Sequence, residues 1–299
     1  RLVEAGYLYV CIKGASFDGH NVAQEMLDKG AVAVVVERDL GIENQIIVDD
    51  THKAYFEISA NWFGNPAKKL QLIGVTGTNG KTSVTYMIKK ILEKAGHKVG
   101  LVGTIQNMII DKALPSKNTT PDAYELNSLF SLMEKAGCEY VVMEISSHAL
   151  DQKRICSVEF RTAIFTNLTQ DHLDYHITMD NYFDAKLKLF KMSKCAIVNL
   201  DDEYAGRILD AVDCSLTLFT PTEYGLPIYE AMDLFPDAEE VASIAPYPMI
   251  SRVWVKENDY NFESFNDYVY QGTANTPGFF GFKCLEGDFS ELKKPNTVI

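Results

Sequence analysis

Residues 70–83 read Leu-Gln-Leu-Ile-Gly-Val-Thr-Gly-Thr-Asn-Gly-Lys-Thr-Ser, and their reading decides the fold. The apolar run Leu70, Leu72, Ile73 and Val75 predicts a buried strand. Beyond the turn, Val84, Met87, Ile88, Ile91, Leu92 and Ala95 recur at spacings of three and four, the pattern of one helix face. Strand, glycine-rich turn and helix N-terminus in that order make an anion site, because backbone N–H groups and the positive helix end converge there. A nucleotide triphosphate suits such a site. Lys81 would neutralise phosphate charge and the Thr82 hydroxyl would reach Mg2+. The usual spacing puts a glycine five residues before the Gly-Lys pair; here that residue is Val75, and the glycines are Gly74 and Gly77. The loop is therefore a variant. A glycine turn without a ligand is the plainer reading, and Lys-Thr at a helix start behind a strand weighs against it.

Upstream, residues 7–12 and 31–36 read as buried strands, 46–49 as a shorter one, and 22–27 and 53–63 as helices. Gly64-Asn65-Pro66 is a break signal and sets a boundary between residues 64 and 70. Downstream, strands at 70–75, 99–103, 139–144, 162–166 and 195–199 alternate with helices at 82–95, 122–136 and 181–191. That rhythm predicts an α/β fold with a wound parallel sheet, whose ligands gather beyond the carboxyl ends of the strands. After about residue 220 aromatics and prolines crowd in, as in 260–270 and 277–282, and the pattern assigns no architecture. The expected division is a small N-terminal α/β domain (1–66), a P-loop domain (67–220) and an unassigned tail (221–299).

The 299 residues carry a formal charge of −13, which argues against non-specific binding to nucleic acid or to an anionic membrane. No apolar run reaches the roughly 18–20 residues of a membrane span, and the start is not a signal peptide. The chain opens at Arg1 rather than Met, so a natural beginning upstream is expected. Six cysteines without a Cys-x-x-Cys pair read as free thiols in a reducing cytoplasm.

The polar groups that carry chemistry follow the strands. Glu144 ends strand 139–144, where a carboxylate beside a P-loop strand can hold Mg2+. Strand 162–166 runs into Asn167-Leu-Thr-Gln-Asp171-His172-Leu-Asp174-Tyr175-His176. No His-Glu-x-x-His is present, so a hydrolytic zinc site is disfavoured. Hard cations prefer oxygen, which makes Asp171 a better magnesium ligand than His172 on chemistry alone. Lys186 lies on a helix among apolar neighbours. It is either a surface lysine or a desolvated one whose neutral amine can react with carbon dioxide, giving a carbamate oxygen for a second Mg2+. Asn118-Thr119-Thr120-Pro121 precedes a helix. It serves as a plain cap or as a clamp for an anionic or amide-bearing substrate.

Glycine loop, Asn-Thr-Thr-Pro, Met-Glu-Ile-Ser-Ser-His-Ala-Leu-Asp-Gln-x-Arg (143–154), Asn-Leu-x-x-Asp-His-Leu-Asp-Tyr-His and the Ala-Lys186 helix occur in one order. That order resembles the Mur ligases of peptidoglycan synthesis, nearest the branch that adds the third residue, a diamino acid. The match covers about residues 1–220, with 1–20 resembling the end of the uridine-binding segment. The resemblance implies that Gly77, Thr78, Asn79, Gly80, Lys81, Thr82 and Ser83 bind ATP. It implies Mg2+ held by Thr82, Glu144, His172 and carbamylated Lys186, so that His172 takes the place chemistry alone gave Asp171. Asn118, Thr119, Thr120, Ser146, Gln152 and Arg154 match positions that hold the UDP-N-acetylmuramoyl dipeptide, and the resemblance implies that Ala15, Ser16 and Phe17 would lie near the uridine. The implied chemistry is attack of the dipeptide's terminal carboxylate on the γ-phosphate of ATP, then of a diamino acid (meso-diaminopimelate or L-lysine) on the acyl phosphate.

The family also implies a C-terminal domain for ATP and amino-acid binding, which residues 221–299 do not resemble. Neither the Asp-Asn-Pro-Arg motif of diaminopimelate enzymes nor a lysine-type counterpart occurs. Two other readings stay open. A folylpolyglutamate synthase-like ligase shares the loop and the lysine, though its loop reads Gly-Lys-Gly-Ser against Gly-Lys81-Thr82-Ser83 here. A module that binds ATP and a UDP-sugar without turnover is the other.

Overall fold

The computed structural model describes residues 3–14, 17–220, 240–244 and 251–254. The first unit is a three-stranded parallel sheet of β1 (Leu8–Val10), β2 (Ala33–Val36) and β3 (Gln45–Ile47), in that order, with helices α1 (Ala23–Asp28) and α2 (Thr51–Trp62). Tyr9, Cys11, Ala23, Met26, Val34 and Val36 form its own small core. Helix α2 starts where the Asp50 carboxylate accepts from the His52 and Lys53 N–H groups, which satisfies donors the helix cannot. It stops before Gly64, and Asn65 in a left-handed conformation leads into a short 3-10 turn at Pro66–Lys69.

Among the described residues, the second unit is a ten-stranded sheet. In chain order its elements are β4 (Gln71–Thr76), α3 (Lys81–Lys94), β5 (Val99–Val102), the hairpin β6 (Gln106–Ile109) and β7 (Lys112–Pro115), α4 (Ala123–Lys135), and β8 (Tyr140–Glu144). There follow α5 (Ser147–Asp151), β9 (Phe160–Phe165), α6 (Leu173–His176), α7 (Met179–Phe190), β10 (Ser193–Asn199), α8 (Ala205–Leu209) and β11 (Ser215–Thr220). Strands β12 (Glu240–Ile244) and β13 (Ser251–Trp254) also belong to it. The strand order is β13-β12-β11-β10-β9-β4-β8-β5-β6-β7, parallel from β12 to β5 and antiparallel at both edges.

Alternation along the strands explains the layering, since successive side chains point to opposite faces. Ile73, Val75, Val142 and Ile164 pack on one face with Val84, Ile88 and Leu92 of α3. Leu72, Val141, Met143, Ala163 and Phe165 take the other, in the large core that holds Leu126, Phe130 and Met133 of α4 and Leu187 and Phe190 of α7. Both faces are therefore covered, as a parallel sheet requires. The chain leaves β4 for β5 on one side, and β9 pairs with β4 on the other. The carboxyl ends of β4, β8 and β9 thus border the crevice of a topological switch point.

The α/β expectation and each of the strands and helices anticipated up to residue 199 are present, with ends shifted by a few residues. The sheet is wider than expected: β11 and β12 extend its parallel part, and the β6–β7 hairpin and β13 add antiparallel edges. The remainder of the 221–299 tail, with its aromatic stretches, lies outside the described residues, as do Ala15 and Ser16.

Candidate functional site

At the end of β4 the backbone must turn within hydrogen-bond distance of β9. Gly77 has φ +149°, and a Cβ there would sit 1.9 Å from the Thr166 hydroxyl, so no other residue fits without displacing the loop. The loop is laced to the segment after β9. The Thr78 N–H donates to the Asn167 carbonyl (2.8 Å), the Asn79 N–H to the Asn167 side-chain oxygen (2.9 Å), and the Thr166 hydroxyl to the Asn79 carbonyl (2.7 Å). The glycine-rich turn is therefore preorganised by residues roughly ninety positions downstream.

Two lysines meet at its floor. The Lys81 ammonium donates to the carbonyls of Gly77 (2.7 Å) and Thr78 (2.8 Å), and Lys186 donates to the same Gly77 oxygen (2.8 Å). Lys186 is 2% exposed, with its ammonium 4.5 Å from the centre of the Tyr182 ring. Burial, then the Lys81 charge, pushes its amine well below the ordinary value, and Asp171 only partly opposes them. Lys81 is lowered too, first by burial, with Glu144 and Asp171 pulling the other way. Two lysine Nζ groups donating to one carbonyl oxygen concentrate hydrogen-bond donors where a polyanion could accept them. The downward shift of the Lys186 amine favours the neutral form that carbamate formation needs.

Glu144, 1% exposed, sits beside them at the end of β8. Its Oε2 accepts from the Thr82 hydroxyl (2.8 Å) and the Thr104 hydroxyl (3.0 Å), and its Oε1 from the Thr104 N–H (2.9 Å). Gly103 makes the room, since a Cβ there would lie 2.5 Å from Oε1. A hydroxyl and a carboxylate oxygen paired at the helix start are hard donors of the kind Mg2+ takes, so the residues present fit that ion. His172 begins α6 in a left-handed conformation (φ 52°), and its ring stacks edge-on against His148 with centroids 4.9 Å apart. Both ring and backbone lean on Asp171, whose Oδ1 accepts from the His172 N–H (2.8 Å).

A cleft of about 320 Å³ gathers Thr78 to Ser83 with Thr119, Glu144, Ser146, His172 and Lys186. Asp171 is not part of its lining. Thr120 lies behind the cleft: it is 1% exposed, and its hydroxyl donates to the Glu144 carbonyl (2.9 Å) and accepts from the Ser146 N–H (3.0 Å). Arg154 stands a layer out, gripping the Gln152 side-chain oxygen (2.7 and 3.0 Å) and reaching the Thr120 carbonyl (3.3 Å). Asn118 is exposed, and Phe17, 56% exposed, belongs to the first unit.

Sequence reading missed Thr104, Tyr182 and Asn167. Asn167 opens the Asn-Leu-x-x-Asp-His run, but without a role assigned to it, and each of the three acts by contacts across the fold that spacing does not encode. Cys11, Cys138, Cys156 and Cys214 are free thiols, and burial pushes the Cys11 and Cys156 thiols up to about 11, far from nucleophilic use. No helix of the described residues is long and apolar enough to cross a membrane.

Residues 75–223 match the Mur ligase middle domain, and residues 1–63 match the Mur ligase family catalytic domain. The chain is 48% identical over 216 residues to the UDP-N-acetylmuramoyl-L-alanyl-D-glutamate–2,6-diaminopimelate ligase of Clostridium perfringens. It is 50% identical over 216 residues to the enzyme so named from Caldanaerobacter subterraneus. Each match takes in 71% of this chain and 45% of the relative, so the chain spans about half the length of the curated relatives it matches. A solved structure of a ligase with that name superposes with a TM-score of 0.66 at 28% identity, covering 82% of this chain and 49% of the other. Two family domains in sequence, and a fold shared with a solved ligase, place this chain in the Mur ligase family.

Proposed function

We propose that this chain works in an ATP-dependent ligase that joins a diamino acid to UDP-N-acetylmuramoyl-L-Ala-D-Glu, in the cytoplasm where that precursor is made. One observation carries the reading: Lys81 and Lys186 meet on the Gly77 carbonyl, in the same cleft as Thr82–Glu144 and the hydroxyls of Thr119 and Ser146. A polyphosphate, a divalent cation and a second substrate would therefore meet within one small volume. The names of the relatives favour 2,6-diaminopimelate as the diamino acid.

In this reading the loop N–H groups and Lys81 hold the phosphates of ATP. Thr82 and Glu144, with His172 and a carbamate on Lys186, would hold Mg2+, which supplies charge neutralisation at the phosphoryl oxygens. The carbamate forms when the neutral Lys186 amine attacks carbon dioxide and releases a proton. Thr119 and Ser146 orient the dipeptide so that its carboxylate oxygen faces the γ-phosphate. That oxygen forms the new P–O bond and ADP leaves with the electron pair of the old one. The amine of the diamino acid then attacks the acyl carbon, loses a proton and expels phosphate. No protein nucleophile is required, so positioning and fixed charge supply the rate.

The test is ADP release from ATP with UDP-N-acetylmuramoyl-L-Ala-D-Glu and either meso-diaminopimelate or L-lysine. The reading predicts release that needs both the dipeptide and meso-diaminopimelate. Release that is indifferent to the dipeptide contradicts it.

A further inference from the structure

Four side chains form one hydrogen-bonded line across the cleft, from the helix start to the second-substrate wall: Thr82, Glu144, Thr104 and Thr119. Thr104 and Thr119 hydroxyl oxygens are 3.0 Å apart, and geometry alone leaves either free to donate. The rest of the line removes that freedom. Three donors converge on the two oxygens of Glu144, the arrangement of an ionised carboxyl, which accepts only. Thr104 has a single hydroxyl proton. Pointed anywhere but Oε2, it would leave a lone pair facing a buried negative charge at 3.0 Å. The proton is therefore committed to Glu144, and the contact with Thr119 holds only if Thr119 donates.

Thr119 also has one proton, so its hydroxyl turns only lone pairs toward the cleft it lines. Ser146 has the opposite character. Its oxygen accepts from the Ala149 N–H (3.2 Å), which leaves its own proton for the cleft. One wall hydroxyl thus accepts and the other donates.

We propose that Thr104 is a positioning residue that fixes this polarity, making Thr119 an acceptor that selects an amide N–H of the peptide part of the substrate over any phosphate or carboxylate oxygen. The inference rests on the UDP-dipeptide reading of the cleft and says which part of that substrate lies against Thr119.

Titration calorimetry of the full chain tests it with UDP-N-acetylmuramoyl-L-Ala-D-Glu and two analogues, each with one amide N–H replaced by an ester oxygen. One ester should bind about 5–10-fold more weakly than the parent, the worth of one hydrogen bond. Thr104→Val keeps the backbone N–H bond to Glu144 but frees the Thr119 hydroxyl to rotate and donate, so the ester penalty should vanish; Thr104→Ser should keep it. Equal binding of both esters and the parent, or the same penalty in Thr104→Val, overturns the proposal. Neutron diffraction of the ligand-free chain decides it without any ligand or variant. The Thr119 deuteron should point at Thr104 and the Thr104 deuteron at Glu144, and the reverse orientation overturns the proposal. Failure of the unaltered chain to bind the parent compound would instead count against the proposed function, with the neutron result still deciding the polarity.

Discussion

Replacing Lys186 with Met should make the protein more stable and change how its stability depends on pH. The amine is 2% exposed and makes one hydrogen bond, to a Gly77 carbonyl that Lys81 also reaches at 2.7 Å. Truncation therefore leaves no orphaned acceptor, and Met fills a similar volume. Burial and the neighbouring Lys81 hold the Lys186 amine well below its ordinary 10.5, against the pull of Asp171. The unfolded chain restores the ordinary value, so between the folded value and 10.5 the unfolded state binds more protons. Stability consequently rises with pH across that window, by about 1.4 kcal/mol for each pH unit. The cost of the buried amine is fully present below the folded value and gone above 10.5. Met carries no such cost. Its advantage over the unaltered protein should be largest at low pH and shrink by about 1.4 kcal/mol per unit through the window. Lys81 is common to both proteins, so its own titration largely drops out of the difference. Urea unfolding from about pH 7 to pH 10 in carbonate-free buffer with chelator measures it. A difference that stays constant with pH would refute the desolvated-lysine reasoning.

Three further outcomes follow from the same geometry. Gly77→Ala adds a Cβ 1.9 Å from the Thr166 hydroxyl at φ +149°; strain and overpacking should lower stability by about 2–5 kcal/mol in urea unfolding and abolish nucleotide binding. Glu144→Gln sets an amide among the three donors from Thr82 and Thr104. Calorimetry should show loss of the Mg2+-dependent part of ADP affinity, with metal-free ADP binding unchanged within about threefold. Under the proposed function, Lys186→Ala should lose activity that short carboxylates partly restore, whereas Lys186→Arg should not be rescued. Full activity in Lys186→Ala excludes the carbamate role.

Periodic burial made most of the fold legible. Leu72 and Ile73, or Val141 and Val142, alternate between two covered faces, and the helices between them repeat at three and four. The hairpin was not legible because its turn breaks the usual chemistry. Ile110 takes a positive φ of 56° between β6 and β7, where a glycine or asparagine would have signalled the bend. The short helices α5 and α6 were hidden for another reason: each is a single turn, too brief for a period to register.

The site divides in the same way. Lys81, Thr82, Glu144 and Lys186 were readable, because each sits at the end of a strand or on a patterned helix. The residues that hold them were not. Thr104 bonds to Glu144 forty positions away, and Asn167 to Asn79 across eighty-eight. Only the folded sheet brings such pairs together. Chemistry alone favoured Asp171 over His172, yet it is the His172 ring that lines the cleft while Asp171 braces its backbone.

Oxygen transfer is the most direct test of carboxylate activation by ATP in this cleft. The dipeptide substrate would carry 18O in its glutamate carboxylates and react with unlabelled ATP and meso-diaminopimelate. The acyl-phosphate route predicts that one 18O appears in each phosphate released, because the carboxylate oxygen departs with phosphorus when the amine attacks. Product formed with unlabelled phosphate would contradict it.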